Sequence, residues 1–267
     1  MVLVNLVREL SETEAKKLKA GSEHYAAYVG PPGQYDFMGA TQFRLLCALG
    51  LRDTHLLLDF GCGSLRAGRL MIPYLQPERY FGIEPNAWLV EDAIANQLGQ
   101  DILRIKRPRF SHSDAFTAAV FTETFDFIVA QSIFSHAGQN LVARALGSFA
   151  EQLRPDGICA VTFIEGGRGE VKEGWVYPGC VEYRLETIEN LIQGAGLVGM
   201  PIPWFHPRQS WFLLARESSS LPSADEVHLL HGAVLRSPDF RSSISGKTAA
   251  MKERDREHRR TRRHKAA

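Results

Sequence analysis

Leu56-Leu57-Leu58-Asp59-Phe60-Gly61-Cys62-Gly63-Ser64-Leu65-Arg66-Ala67-Gly68 is the stretch that decides how this chain folds. An apolar run ends in an acid, and a glycine-broken turn follows before the pattern becomes helical. Such a run reads as a buried strand delivering its carboxyl end to a tight loop. The helix beyond it starts with backbone N–H groups that have no partner within the helix. Those groups favour an anion, and the glycines let a ligand come close to the backbone. A dinucleotide-binding fingerprint fails on spacing. Counted from Gly61, the last glycine of G-x-G-x-x-G falls at Arg66, whose bulk opposes close packing of helix on strand.

Asp59-x-Gly61-x-Gly63 instead resembles the first motif of class I S-adenosylmethionine (SAM) dependent methyltransferases, and the resemblance runs over residues 55–216. Tyr80-Phe81-Gly82-Ile83-Glu84 reads as a second strand ending in an acid, 21 residues beyond Gly63. A lone strand-end Glu is most simply a solvated acid. After a glycine turn at this spacing, the resemblance makes Glu84 the ligand of the cofactor's ribose. A hydroxyl donating to a carboxylate is worth roughly 1.5–3 kcal/mol. In Ser111-His112-Ser113-Asp114-Ala115-Phe116 the family places an acid, Asp114, near the adenine amino group and an apolar side chain, Phe116, on the ring. An ordinary Asx turn accounts for the same residues nearly as well. Phe125–His136 looks like the fourth strand of small-molecule methyltransferases, with Gln131 at the strand end facing the transferred methyl. Together with Asp59, Gly61, Cys62 and Gly63, these are the cofactor-binding residues that the resemblance implies. It departs from the family at Leu65, which stands where many relatives have a third glycine.

The implied architecture is α/β: a Rossmann-like class I methyltransferase fold, with a mostly parallel seven-stranded sheet and helices on both faces. The rest of the pattern supplies its elements. Ser11-Glu12-Thr13-Glu14 is a capping box that starts a helix running to about residue 20. Residues 30–39 form a loop punctuated by glycine and proline, and a helix at 41–49 leads into the first strand. Crossover helices are expected at 66–75 and 87–98, the second capped by Asn86. Leu141, Val142, Ala145, Leu146, Phe149 and Leu153 recur at helical spacing before Pro155-Asp156-Gly157 turns into a strand at 158–164. A loop at 165–183, a helix at 186–193, and strands at 197–204 and 210–215 follow. Ser223-Ala224-Asp225-Glu226 can cap one more helix. The expected organisation is an N-terminal helical cap and covering loop at 1–54, a SAM-binding domain at 55–217, and a linker, helix and basic tail at 218–267.

The global figures agree with an enzyme of this kind. A chain of 267 residues with 45% apolar content can bury roughly 70–75% of its unfolded surface. Cys47, Cys62, Cys159 and Cys180 form no C-x-x-C pair, so no metal site is expected. The apolar N-terminal run breaks at Arg8 and Glu9, too early for a signal peptide. No 18-residue apolar run exists to span a membrane, so a cytoplasmic location is expected. Between Lys247 and Ala267, nine Lys or Arg face three acids, a local charge of +6 inside a net charge of +1. Such a tail can touch nucleic acid, an anionic membrane or an acidic partner. Without interleaved aromatics it offers no stacking platform, so a solvated end is the simpler account and nucleic acid is not the favoured partner.

Ligands of open α/β sheets bind beyond the carboxyl ends of the strands, an edge that here gathers Asp59, Glu84, Asp114, Gln131 and Glu165. A sulfonium is already a good leaving group, so alignment matters more than acid–base chemistry. With a hydroxyl acceptor, a base adds about 10²–10⁴-fold. His136, just past the fourth strand and with an ordinary pKa of about 6.5, is the first candidate, although its position equally suits a backbone-bonded cap. Tyr35, with Asp36, His24 and Tyr28, lies in a loop placed to close over the cofactor, and Glu165 is a third candidate. The expected function is a SAM-dependent methyltransferase acting on a small-molecule or glycan-like acceptor at oxygen. Its alternatives are an RNA or protein methyltransferase recruited by the tail, or a non-catalytic SAM-binding regulator. The N/D-P-P-Y/F motif of amino-group methylation is missing after strand four, where Gln131-Ser132-Ile133-Phe134 stands.

Overall fold

The computed structural model describes residues 12–232. Ser11 of the capping box and the basic tail lie outside the described residues. The N-terminal part carries α1 (Glu12–Ala15), α2 (Tyr25–Tyr28), a 3-10 turn (Pro32–Gln34) and α3 (Tyr35–Ala48). Then come β1 (Leu57–Phe60), α4 (Gly68–Tyr74), β2 (Tyr80–Ile83), α5 (Ala87–Ala93), α6 (Gln100–Lys106) and β3 (Arg109–Ser111). The second half holds β4 (Phe125–Ala130), α7 (Gln139–Gln152), β5 (Leu153–Glu165), β6 (Glu182–Tyr183), α8 (Leu185–Gly194), β7 (Val198–Ile202), β8 (Ser210–Ala215) and α9 (Ala224–Val227).

The sheet runs β3-β2-β1-β4-β5-β8-β7, with the short β6 added beside β5. Strands β1 to β5 pair in parallel, and β8 is antiparallel to both β5 and β7. The expected seven-stranded sheet is present, and β6 makes eight strands of it. Every residue of β1 is buried, as a central parallel strand covered on both faces requires. Its side chains alternate between two cores. Leu58 and Phe60 join Ile128 and Ala130 under α7 and α8, while Leu57 joins Phe127 and Val129 under α3, α4 and α5. Helix α7 shows why its spacing was readable: Val142, Ala145, Leu146 and Phe149 are all fully buried on one stripe.

Four local expectations are corrected. Helix α3 starts at Tyr35, so the first turn of a helix replaces the second half of the expected loop; Pro32 opens the 3-10 turn that leads into it. Asn86 sits at the start of α5 without capping it, because its Nδ2 donates to Glu84 Oε1 at 2.8 Å. Residues 94–98 continue α5 as a π-helical turn, and α6 follows where no element was expected. Strand β5 begins at Leu153, and Pro155-Asp156-Gly157 form an irregularity within it rather than a turn before it: Leu153 pairs with Phe125 and Ile158 with Phe127. Ser223 does cap α9, through a capping box with Glu226.

Candidate active site

A cavity of about 680 Å³ opens at the carboxyl ends of the parallel strands, within the size range of small-molecule sites. Asp59, Gly61, Cys62, Gly63, Glu84, Asp114, Phe116, Gln131 and His136 all line it. Tyr35 and Glu165 are not among the residues that line it.

The turn after β1 shapes one wall. Gly61 and Gly63 have φ of +77° and +55°, the left-handed region that glycine tolerates. A Cβ on Gly61 would come within 2.1 Å of Ile133 Cδ1, and one on Gly63 within 2.7 Å of Val29 Cγ1. The glycines therefore make room for neighbouring side chains of this chain. Leu65, in the place of the third glycine, keeps the left-handed backbone at φ 54° with its side chain wholly buried.

Asp59 is 3% exposed, and its Oδ2 accepts a hydrogen bond from Tyr80 Oη at 2.8 Å. Burial lifts its pKa to about 6, against the opposing pull of the Tyr80 bond and the Arg66 charge. Glu84 Oε1 accepts from the Asn86 backbone N–H and side-chain amide, and Oε2 accepts from the Gly63 N–H at 3.1 Å. Burial raises its pKa, and these donors hold it back. The carboxylate is thereby fixed with acceptor capacity left over. Both polar atoms of the Gln131 amide are buried without a hydrogen-bond partner, an arrangement that costs about 1–3 kcal/mol per group unless a ligand supplies one. The next residue, Ser132, has φ 63°, and its N–H donates to Thr162 Oγ1 at 2.7 Å, which fixes the end of β4.

His136 Nδ1 lies 2.5 Å from the Gly179 carbonyl oxygen, which can only accept. Nδ1 therefore carries the proton, and Nε2 of the neutral ring keeps its lone pair. Burial lowers the imidazole pKa, the Gly179 carbonyl opposes that shift, and the Arg208 charge adds to it. The ring meets Trp175 and Tyr177 edge-on, with centroids 5.8 and 5.0 Å away.

Tyr35 has a different task from the one expected. It is 8% exposed, and its Oη donates to the Ser64 carbonyl at 2.8 Å, so it ties α3 to the turn after β1 from behind. Its first-turn helical position turned the ring inward, and burial raises its pKa, so it stays a neutral phenol. Glu165 ends β5 in register with Tyr183 of β6. Of the loop residues named with Tyr35, Tyr28 does line the cavity.

Residues without a sequence motif complete the walls. Arg66 lines the cavity; its Nη1 donates to the Val29 carbonyl at 2.8 Å, and its buried Nε has no partner. The signal was present but misread, since an arginine inside the glycine turn counted only as bulk. The segment 171–181 contributes Gly174, Trp175, Tyr177, Pro178 and Cys180 to the lining, held by Val176 N–H to the His136 carbonyl and Val181 N–H to the Ser135 carbonyl. Tyr177 Oη donates to the Tyr28 carbonyl, joining this strap to the N-terminal part. The β7–β8 connection brings in His206, Arg208 and Gln209. No group of His, Cys, Asp and Glu suited to a metal ion occurs among the described residues, and no helix there is long and apolar enough to cross a membrane.

The donor set fits SAM. Its amino-acid end carries one cation and one anion, and the cavity offers the Asp59 carboxyl and the Arg66 guanidinium at the same wall. Glu84 has acceptor capacity for a diol, and Gln131 has both halves of an amide to satisfy.

Comparison with known proteins agrees. A family model described as a methyltransferase domain matches residues 58–159. No curated protein matches the sequence. Among solved structures, magnesium protoporphyrin IX methyltransferase from Synechocystis PCC 6803 with bound S-adenosylhomocysteine (SAH) aligns with a TM-score of 0.52 at 12% identity, over 70% of this chain and 84% of that one. The same protein with bound SAM gives 0.51 at 14% identity, over 74% and 88%. A SAM-dependent methyltransferase from Clostridium acetobutylicum ATCC 824 gives 0.50 at 11% identity, over 67% and 92%. Residues 58–159 thus match a methyltransferase domain, and the fold is the one that these SAM-dependent methyltransferases share.

Proposed function

We propose that the protein transfers the methyl group of SAM to a hydroxyl oxygen of a small-molecule or glycan-like acceptor, with His136 as the base. The observation that carries this is the tautomer of His136. With Nδ1 donating to Gly179, a lone pair on Nε2 remains available in a cavity that Gln131 also lines. When bound, SAM supplies a methyl group on a sulfonium, already activated for transfer. Glu84 would hold the ribose, Asp59 and Arg66 the amino-acid end, and Asp114 and Phe116 the adenine. Gly61, Cys62 and Gly63 would form the wall beside them, and Gln131 would face the methyl. Holding these parts fixes the line of attack, and the strap at 171–181 keeps water from that line. His136 Nε2 takes the hydroxyl proton as the acceptor oxygen takes the methyl group. The depressed pKa keeps the imidazole neutral, and so ready to accept, at neutral pH.

A panel of hydroxyl and amine acceptors, with SAH release and the methylated product measured, tests this. O-methyl products, with turnover lost in His136→Gln and SAM binding kept, are expected. Exclusively N-methyl products would overturn the oxygen assignment. SAM binding without turnover on any acceptor would favour a regulator.

A further inference from the structure

The acceptor end of the cavity differs in chemistry from the cofactor end. The lining acids Asp59, Glu84 and Asp114 sit at the ends of β1, β2 and β3, whereas the β7–β8 connection brings in a cation, Arg208. That connection is built to present it. His206 Nδ1 accepts the backbone N–H groups of Arg208 at 3.2 Å and Gln209 at 3.0 Å, which fixes the turn. Gln209 Nε2 donates to Ser132 Oγ at 3.0 Å, which ties the turn to the end of β4. The guanidinium has five donors. Its side-chain contact is Cys180 Sγ at 3.6 Å, and no carboxylate of the described residues forms an ion pair with it.

The same cavity has an aromatic wall at His136. Trp175 and Tyr177 lie nearly parallel, at 20° with centroids 6.2 Å apart, and His136 meets both edge-on. Trp175 is 49% exposed, a large ring left partly in water where it borders the cavity. A flat apolar body would cover it.

We propose that the acceptor is a flat aromatic hydroxy compound carrying an anionic group, carboxylate or phosphate, and that Arg208 selects it. This rests on the cavity being a methyl-transfer site. The anion would take the fork of guanidinium donors, the ring would lie along Trp175 and Tyr177, and the hydroxyl would reach His136.

Calorimetric titration of the SAH-loaded full chain with 4-hydroxybenzoate, phenyl phosphate and the neutral 4-hydroxybenzamide tests it. At least one anion should bind about tenfold or more tightly than the amide, the worth of one charge-assisted hydrogen bond. The two anions separate a carboxylate site from a phosphate site. Arg208→Gln should bring the favoured anion to the level of the amide, Arg208→Lys should keep part of the preference, and SAH affinity should hold in both. An amide that binds as well as both anions overturns the proposal, as does an anion preference that survives in Arg208→Gln. Failure of both anions to bind SAH-loaded protein overturns it too. If SAH itself fails to bind, it is the methyl-transfer site that is wrong.

Discussion

Asp59→Asn separates what the first strand-end acid does for the ligand from what it does to the fold. The carboxyl is 3% exposed, and burial lifts its pKa from 3.8 to about 6. A carboxyl with a raised pKa in the folded state holds its proton more tightly there than in the unfolded chain. Its contribution to stability is complete below the unfolded value and is lost as pH rises through about 6. At about 1.36 kcal/mol per pH unit, the loss amounts to about 3 kcal/mol. Asparagine does not titrate, so whatever its amide gains or loses beside Tyr80 is the same at every pH. Urea unfolding of the SAM-free full chain and the variant, followed by circular dichroism from about pH 4 to pH 7.5, isolates the carboxyl as the change in their stability difference. The wild type should lose about 2.4 kcal/mol relative to the variant across that range, the part of the full loss that lies above pH 4. A flat difference, or a wild type that gains on the variant as pH rises, would refute the reasoning. A buried charge that weakens the SAM-free fold makes sense if it meets a cation on binding, so SAM affinity should fall about tenfold in Asp59→Asn.

Glu84→Ala should weaken SAM by roughly 2–4 kcal/mol in calorimetry, because two charge-assisted hydrogen bonds to the ribose are lost; near wild-type affinity would remove the ribose assignment. Gly63→Val should abolish SAM binding while far-UV circular dichroism stays close to wild type, since the residue is at φ +55° and its Cβ would meet Val29 Cγ1 at 2.7 Å. His136 has a lowered pKa, so kcat/KM should fall as pH drops through a value below 6.5, and His136→Gln should lose that acid limb with SAM affinity unchanged. An unaltered pH profile in this variant would return His136 to a structural part, bonded to Gly179.

The side of the cavity formed by the ends of β1 and β2 was legible because strong local signals coincide there. An apolar run, an acid and a glycine turn each demand a specific backbone, and together they demand one loop; the family resemblance then pointed to Asp59, Gly61, Gly63 and Glu84, all of which line the cavity. Tyr35 was misplaced because Pro31, Pro32 and Gly33 read as loop, whereas a proline in the opening turn is compatible with a helix that starts soon after. The rest of the cavity carries no such signal. Trp175, Tyr177 and Arg208 reach the cavity through contacts between distant segments, such as Val176 with His136 and Gln209 with Ser132. No periodicity encodes those pairings. The Pro155-Asp156-Gly157 stretch shows the same limit: local turn chemistry was overridden by pairing of Leu153 with Phe125.

A crystal structure of the full chain with SAH tests the central claim most directly. The account predicts the ribose hydroxyls on Glu84, the amino-acid end between Asp59 and Arg66, and the sulfur facing Gln131 and the His136 side of the cavity. A ligand bound with its ribose away from Glu84, or outside this cavity altogether, would contradict it.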